Sequence, residues 1–531
     1  MKISPAQSDF LNWSRWVAAW FVVAEHARSL IFVDYGHLQS PGVLAKGFYF
    51  LTGFGHEAVM VFFVISGYLV GGKVWSLYRE GRFGWRRYLA DRASRLYAVL
   101  FVALLLGAAM DWTGYLFFNK YGLYNQGYEG SIAVLGAAPI ERMGLRDFLV
   151  NAFFLQTIVG PTLGSNGPLW SLAYEWWYYV LFPLVLAAVW PIVDCGWRFF
   201  KGDRRTKIRD RGEEEILTTE DTTERLGGRE MEQPKVGPKG EGVGTTESKS
   251  TEDGAGPCLD KPSGAAFSNP STSELARDSE NTSRTRSPSG AVLPATSYLL
   301  LVTRALSALG SLLAVAGLCW FLTWEILIFF GVWLLGVAAS ALQSRTDPAG
   351  LKIHDFTGRD SGGLIADSAG GAKALDSSSL LALDAGRWTL ATRALSALFF
   401  GSALLLARAE VLEVPYGWQY LLGMAFALVL LSLAKGSRLW VFSKPSAYLA
   451  DFSYSVYLIH FPVLMLVLSV AFSLTGYGIK IPFGVGGLIW FAVVFASAIL
   501  FAWLVSMFTE RNTHLVRVWF YSVLQIQLAN K

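Results

Sequence analysis

Cysteine and charge are what this chain has least of: its 531 residues include three cysteines, and Asp, Glu, Lys and Arg together make up 16%. Cys195, Cys258 and Cys319 show neither metal-binding nor redox spacing and cannot all pair, which excludes a disulfide framework and argues against cysteine chemistry. No metal site, tightly bound cofactor or nucleic-acid partner is expected. Sparse charge beside 53% hydrophobic residues and a mean hydropathy of +0.38 excludes an ordinary soluble enzyme. The start, MKISPAQSDFLNWSR, also lacks an apolar core with a small-residue cleavage site, so the first span is expected to direct insertion and the N-terminus to be retained. No internal repeat of the transporter type is visible.

What the chain does have is apolar runs near the length of a bilayer crossing. Runs bounded by charge or Gly/Pro lie near 15–33, 57–75, 96–117, 170–193, 296–318, 320–342, 388–409, 416–434, 447–472 and 484–508. The expected fold is all-α, a polytopic bundle of about ten transmembrane helices. Residues 147–158 are apolar but too short to cross and read as an interfacial or re-entrant helix on the outer side. Lys73, Arg79, Arg82, Arg86, Arg87, Arg92 and Arg95 follow the second run, and KGDRRTKIRDR follows the fourth, so both connectors and both termini are expected to be cytoplasmic. The chain then divides into an N-terminal transmembrane half, 1–199, a hydrophilic cytoplasmic loop, 200–294, a C-terminal half, 295–510, and a short cytoplasmic tail, 511–531. The loop is rich in Glu, Lys, Thr, Ser, Gly and Pro and is expected to be disordered; a Gly/Ser/Asp-rich cytoplasmic insert occupies 343–386, with short Leu runs suited to a weak surface helix. Asn281-Thr-Ser matches a glycosylation acceptor, which cytoplasmic placement leaves bare.

An ionisable residue deep in an apolar helix marks a functional site by default, and His26 sits about halfway along RWVAAWFVVAEHARSLIF. Eleven residues at 100° each return to within about 20° of one face, so Arg15 and His26 project alike, roughly 16 Å apart. That spacing accommodates a long ligand with a charged end and a reactive end. His26 either hydrogen-bonds a neighbouring helix or, as a neutral imidazole, takes a proton from a hydroxyl attacking a carbonyl. Glu25 points to another face and reads as a snorkelling or paired residue. Arg92 and Arg95 in WRRYLADRASRLY are either a positive-inside anchor or, beside Arg15, a clamp for the phosphates of a cofactor whose apolar arm enters the bundle. Ser171, Glu175 and Tyr178 share a face at i, i+4 and i+7, whereas Trp176, Trp177 and Tyr179 suit an interfacial aromatic belt. A carboxylate as deep as Glu175 needs a partner or a watery cavity. Ser453, Tyr457 and His460 share a face in AYLADFSYSVYLIHFPVL, where His460 either packs or meets substrate. Ser66 and Gly67, inside a Phe/Val run, permit close helix approach.

Taken in order, the Arg15-to-His26 spacing, FFVISGYL at 62–69, RRYLADRASRLY, WSLAYEWWYY at 170–179 and SYSVYLIHFPVL at 453–464 resemble the acyltransferase 3 family of membrane O-acyltransferases. The resemblance implies a bundle of about ten helices, a catalytic histidine at His26, arginines important for activity at Arg15, Arg92 and Arg95, and acyl-CoA, often acetyl-CoA, as donor. The chain departs from the family in having Ala58-Val59-Met60 where many members carry Gly-Val-Asp, in its long hydrophilic insert, and in lacking a fused esterase-like domain. The expected function is therefore transfer of an acyl group to a hydroxyl of a carbohydrate, glycolipid or small molecule within the lipid bilayer. In that scheme His26 and Glu175 are catalytic, Arg15, Arg92 and Arg95 bind the donor, and Ser66, Tyr178, Tyr457 and His460 contact the acceptor. A transporter or flippase is the competing class, since intramembrane His, Glu and Arg also line transport pathways; a scaffold recruiting partners through the loop leaves those residues without a role.

Overall fold

The first helix, α1 (Pro5–Ile31), starts ten residues before the apolar run because the chain caps it there. Ser4 Oγ accepts the Gln7 N–H and the Gln7 side chain accepts the Ser4 N–H, a reciprocal capping box with proline at the first helical position. The same two residues tie the helix end to its surroundings, Ser4 Oγ donating to the Leu433 carbonyl and Gln7 Nε2 to the Leu430 carbonyl. The computed structural model describes residues 3–125, 137–191, 295–346, 377–408, 414–437, 443–476 and 480–526. No β-strand occurs among them; Phe32 and Ile481 form an isolated bridge where the chain leaves α1.

The helices that follow are α2 (Val43–Leu51), α3 (Gly55–Ser66), α4 (Gly72–Arg79), α5 (Trp85–Phe118), α6 (Leu145–Ala152) and α7 (170–191). Beyond the undescribed stretch come α8 (Ala295–Phe321), α9 (Trp324–Thr346), α10 (Ser377–Arg408), α11 (Gly417–Ser432), α12 (Lys444–Asp451), α13 (Ser453–Thr475), α14 (Val485–Phe508) and α15 (Thr513–Val523). Seven helices among the described residues are long and apolar enough to cross a membrane: Val43–Arg79, Trp85–Phe118, Gly167–Pro191, Trp324–Ser344, Leu390–Arg408, Ser453–Thr475 and Val485–Val523. The other three of the expected ten fall on α1, whose Asp9, Arg15, Glu25 and Arg28 dilute its hydropathy, and on Ala305–Phe321 and Gly417–Ser432, which are shorter.

Two main units emerge from the chain's contacts, residues 1–191 with 304–531, and residues 192–303. All that follows concerns the first. The loop expected at 200–294 lies outside the described residues, as does Asn281. Of the insert expected at 343–386, residues 347–376 lie outside them, while 377–386 are helical and open α10. Residues 513–523 are a helix rather than a plain tail, packed on α5, with Tyr521 donating to Asp91 at 2.8 Å and Arg517 paired with it at 3.2 Å.

Three local devices position the interior. α3 and α4 are joined by a π-helical turn, Gly67–Gly71, next to Ser66. There Gly67 abuts the Trp333 carbonyl and Gly336 abuts the Val64 carbonyl so closely that a Cβ would sit 1.9 and 2.1 Å from those oxygens, which is why small residues are needed on both helices. In α13, Pro462 cannot donate to the carbonyl four residues back, Leu458, and Asn166 Nδ2 fills the gap at 2.8 Å. The loop between α6 and α7 is thereby fastened to α13. It is also fastened to α5, where buried Asp111 accepts the Ser165 N–H at 2.7 Å and the Ser165 hydroxyl at 2.6 Å. The short helix expected near 147–158 is thus α6, followed by an irregular segment in which Asn151 Nδ2 donates to the Pro161 carbonyl and Gln156 Nε2 to the Leu169 carbonyl, while Gln156 Oε1 and Asn166 Oδ1 stay without a partner among the described residues.

Candidate active site

α1 packs on α13, and the two helices bring His26 and His460 together: His26 Nδ1 lies 2.9 Å from His460 Nε2. The rings are 12° from parallel with centroids 5.1 Å apart, which is the bond length plus the two ring radii, so the imidazoles are nearly coplanar and joined edge to edge. His460 Nδ1 faces two acceptors, the Tyr457 carbonyl at 2.9 Å and the Val456 carbonyl at 3.0 Å. It must carry a proton. A neutral His460 then has only a lone pair on Nε2, so His26 Nδ1 is the donor across the pair and His26 Nε2 holds the free lone pair. Phe461 stands edge-on to His26 at 5.1 Å and holds the ring in place. Both nitrogens of His460 are thereby committed, Nδ1 to the two carbonyls and Nε2 to His26.

His26 lines two cavities, one of about 240 Å³ with Glu25, Ser29, His56 and Trp170, and one of about 320 Å³ with Arg142, Thr157, Thr162 and Trp170. Glu25 is paired with Arg28 at 3.7 Å and accepts the backbone N–H groups of Gly55 and His56 at the start of α3, as its position on a separate face leads one to expect.

A third cavity, also about 240 Å³, gathers Arg15, Lys73, Arg92, Arg95 and Glu175. Four cations face one carboxylate, and Arg15, Arg92 and Arg95 make no ion pair with a described residue. Arg92 Nε is buried without a hydrogen-bond partner, and its guanidinium lies 5.9 Å over the Tyr179 ring. Glu175 is fixed from behind: Trp333 Nε1–H donates to Ser66 Oγ at 3.2 Å, Ser66 Oγ–H donates to Glu175 at 2.8 Å, and the Tyr179 hydroxyl donates to the same carboxylate oxygen. This cavity can hold a polyanion, with Glu175 limiting where its charges sit.

The arginine cavity and the smaller of the His26 cavities have two lining residues in common, Val59 and Tyr457. Tyr457 is held by Ser171 at 2.6 Å and by the Pro168 carbonyl at 3.2 Å. The structure therefore joins Arg15, Arg92, Arg95, Glu175, Ser66 and Tyr457 in one place and His26 with His460 in the adjoining one. Glu175 and Ser66 stand with the arginines and not beside His26. Tyr178 joins neither group: it is fully buried among Phe63, Phe330 and Trp333. Tyr179, which the sequence suggests for an aromatic belt, takes the cavity position because Glu175 holds its hydroxyl. Sequence reasoning also passed over Trp333, Lys73, Trp170 and Arg142, none of which lies in a recognisable spacing with His26. Among the described residues no group of three His, Cys, Asp or Glu could hold a metal ion.

Helices long and apolar enough to cross a membrane, gathered around a histidine pair and a cationic cavity, mark an integral, multi-pass membrane protein. Residues 8–194 match the family model Acyl_transf_3, described as an acyltransferase domain, a likeness that supports membrane acyltransferase activity in general. The matched segment holds Arg15, His26, Ser66, Arg92, Arg95 and Glu175, while Tyr457 and His460 come from beyond it. Comparison with curated proteins and with solved structures gives no match.

Proposed function

We propose that this acyltransferase moves an acyl group, acetyl in the simplest case, from acyl-CoA to a hydroxyl, with His26 as general base. The observation that carries this reading is the hydrogen-bond chain from the Val456 and Tyr457 carbonyls through His460 to His26 Nδ1, which assigns the Nδ1 proton to His26 and leaves Nε2 free on a residue that lines two cavities. As the acceptor oxygen attacks the thioester carbonyl, His26 Nε2 takes the hydroxyl proton. The tetrahedral intermediate collapses with cleavage of the C–S bond, and the departing thiolate receives that proton, giving ester and free CoA. The charge developing on His26 is shared through Nδ1–H with His460, whose own Nδ1–H leans on two carbonyls.

The donor's phosphates belong in the cavity of Arg15, Arg92 and Arg95, with its pantetheine arm running past Val59 and Tyr457 towards His26. The basic connector holding Lys73, Arg79, Arg82, Arg86 and Arg87 supports a cytoplasmic mouth for that cavity, and the acceptor then meets His26 from the opposite side. A sugar, a glycolipid or a small hydroxylated metabolite fits this scheme.

The test is acetyl-CoA binding and hydrolysis by purified protein in nanodiscs. His26→Ala should abolish turnover and retain donor binding, whereas the triple change Arg15→Ala/Arg92→Ala/Arg95→Ala should weaken binding. Full turnover by His26→Ala protein, or donor binding indifferent to the three arginines, overturns the assignment.

A further inference from the structure

The 320 Å³ cavity beside His26 is walled on one side by the segment linking α6 to α7, and its chemistry is one-sided. Arg142 lines it. The Arg142 backbone carbonyl is tied to the Gly164 N–H at 2.9 Å, which fixes the residue's place, yet its guanidinium makes no ion pair or hydrogen bond with a described residue. Two carboxylates lie near: Asp147 is occupied by the Gly144 N–H at 3.3 Å, and Glu141 lies on the exposed surface. No acidic side chain lines the cavity. Burial pushes the Arg142 pKa down, the direction that an anionic guest reverses. Across the cavity stands Trp170, whose ring packs on His56 and Phe329 and whose indole N–H has no partner among the described residues. Thr162 adds a hydroxyl.

The wall is built before any guest arrives. Asp111 holds Ser165, Asn166 holds Leu458, Asn151 holds the Pro161 carbonyl at 3.0 Å and Gln156 holds the Leu169 carbonyl at 2.8 Å. Phe154 and Thr157 keep left-handed backbone angles of 57° and 69° within it. Cation, aromatic face and histidine lone pair are therefore presented on fixed supports around a space the size of a small ring.

We infer that the acceptor is a hydroxylated ring compound bearing a carboxylate or phosphate, with its anionic group held by Arg142, its ring against Trp170 and its hydroxyl at His26 Nε2. The inference rests on the acyl-transfer reading for the role of the hydroxyl, but the anion site can be tested without turnover. A neutral sugar leaves Arg142 without a partner in a half-buried place. A purely apolar acceptor leaves the Trp170 N–H and Thr162 unmatched as well.

The probes are methyl β-glucoside, methyl β-glucuronide and glucose 6-phosphate, a neutral ring and two charged counterparts, with binding measured calorimetrically on protein in nanodiscs without donor. A charged probe should bind at least about tenfold tighter than the glucoside, as one charge-assisted hydrogen bond provides. Whichever charged probe leads identifies carboxylate or phosphate as the natural group. Arg142→Gln should erase the preference and Arg142→Lys should keep most of it. Should Arg142→Gln protein fail to fold, the salt dependence of binding to the unaltered protein gives the same answer, since an anion held by a cation weakens as ionic strength rises. Equal binding of charged and neutral probes, no binding by either charged probe, or a preference that survives Arg142→Gln overturns the inference. His26→Ala protein should keep the charged-probe preference. Retained preference with undiminished thioester turnover in that variant defeats the acyl-transfer reading and leaves the anion site standing; the reverse pattern defeats only the anion site.

Discussion

His26 donates to His460 across 2.9 Å, and this one bond decides which nitrogen of His26 is available to a substrate. The partners are 434 residues apart in the chain and belong to different helices, so the pair is assembled only when α1 and α13 meet.

Replacing the orienting histidine should therefore disable turnover without harming donor binding. His460→Phe is expected to lower kcat by about 10²- to 10⁴-fold, the scale of a general base with its tautomer unfixed. His460→Gln should recover part of that loss, because an amide oxygen can accept from His26 Nδ1–H. Rate against pH separates this from simple damage: in the unaltered protein activity should fall on acidification, as imidazolium has no lone pair, and His460→Gln should displace that midpoint. An unchanged profile with unchanged kcat would show that the bond is only packing.

The arginine cavity makes a second prediction. Arg15→Ala, Arg92→Ala and Arg95→Ala should each weaken acetyl-CoA binding by about ten- to a hundredfold, the worth of a charge-assisted hydrogen bond. Lysine should restore little at Arg92, whose guanidinium also lies over the Tyr179 ring. Donor titrations at two salt concentrations measure both effects.

Asp111 should matter for the wall beside His26 more than for the donor cavity. Asp111→Ala leaves the Ser165 N–H and hydroxyl unmatched in a buried place, a cost of about 2–4 kcal/mol. Limited proteolysis should then cut between residues 153 and 166, while acetyl-CoA binding persists. Resistance equal to the unaltered protein would mean that the remaining hydrogen bonds suffice.

Asn166 and Pro462 should behave as a coupled pair. Asn166→Leu alone strands the Leu458 carbonyl and should cost about 1–3 kcal/mol of unfolding free energy. Combined with Pro462→Ala, which restores an N–H to that carbonyl within α13, the same change should cost less. Unfolding of the four proteins in detergent reads the coupling, and strict additivity would deny it.

The membrane-crossing helices could be read in the sequence because length and hydropathy are local properties, and the arginines at 92 and 95 because positive residues cluster at a helix mouth. α1 was placed with its start too late: Ser4, Pro5 and Gln7 form a polar capping box that an apolar window passes over. On α7, positions 171, 175 and 179 advance by about 40° each and share a stripe centred on Glu175, whereas Tyr178 lies about 60° behind it. A face drawn by i, i+4 and i+7 thus selected the wrong tyrosine for the cavity. Trp333 reaches Ser66 from 267 residues away, and the histidine pair is more distant still, so neither bond leaves a pattern in the sequence. Arg142 was invisible for another reason, since a single arginine in a short connector looks like any other surface charge.

Val59 and Tyr457, shared by the donor cavity and a His26 cavity, have a consequence for the membrane itself. On the proposed reading these two residues, with Tyr457 pinned to Ser171, mark where a thioester end passes from the donor cavity towards His26. On that reading the acyl group alone changes sides, leaving CoA on one face and the ester on the other.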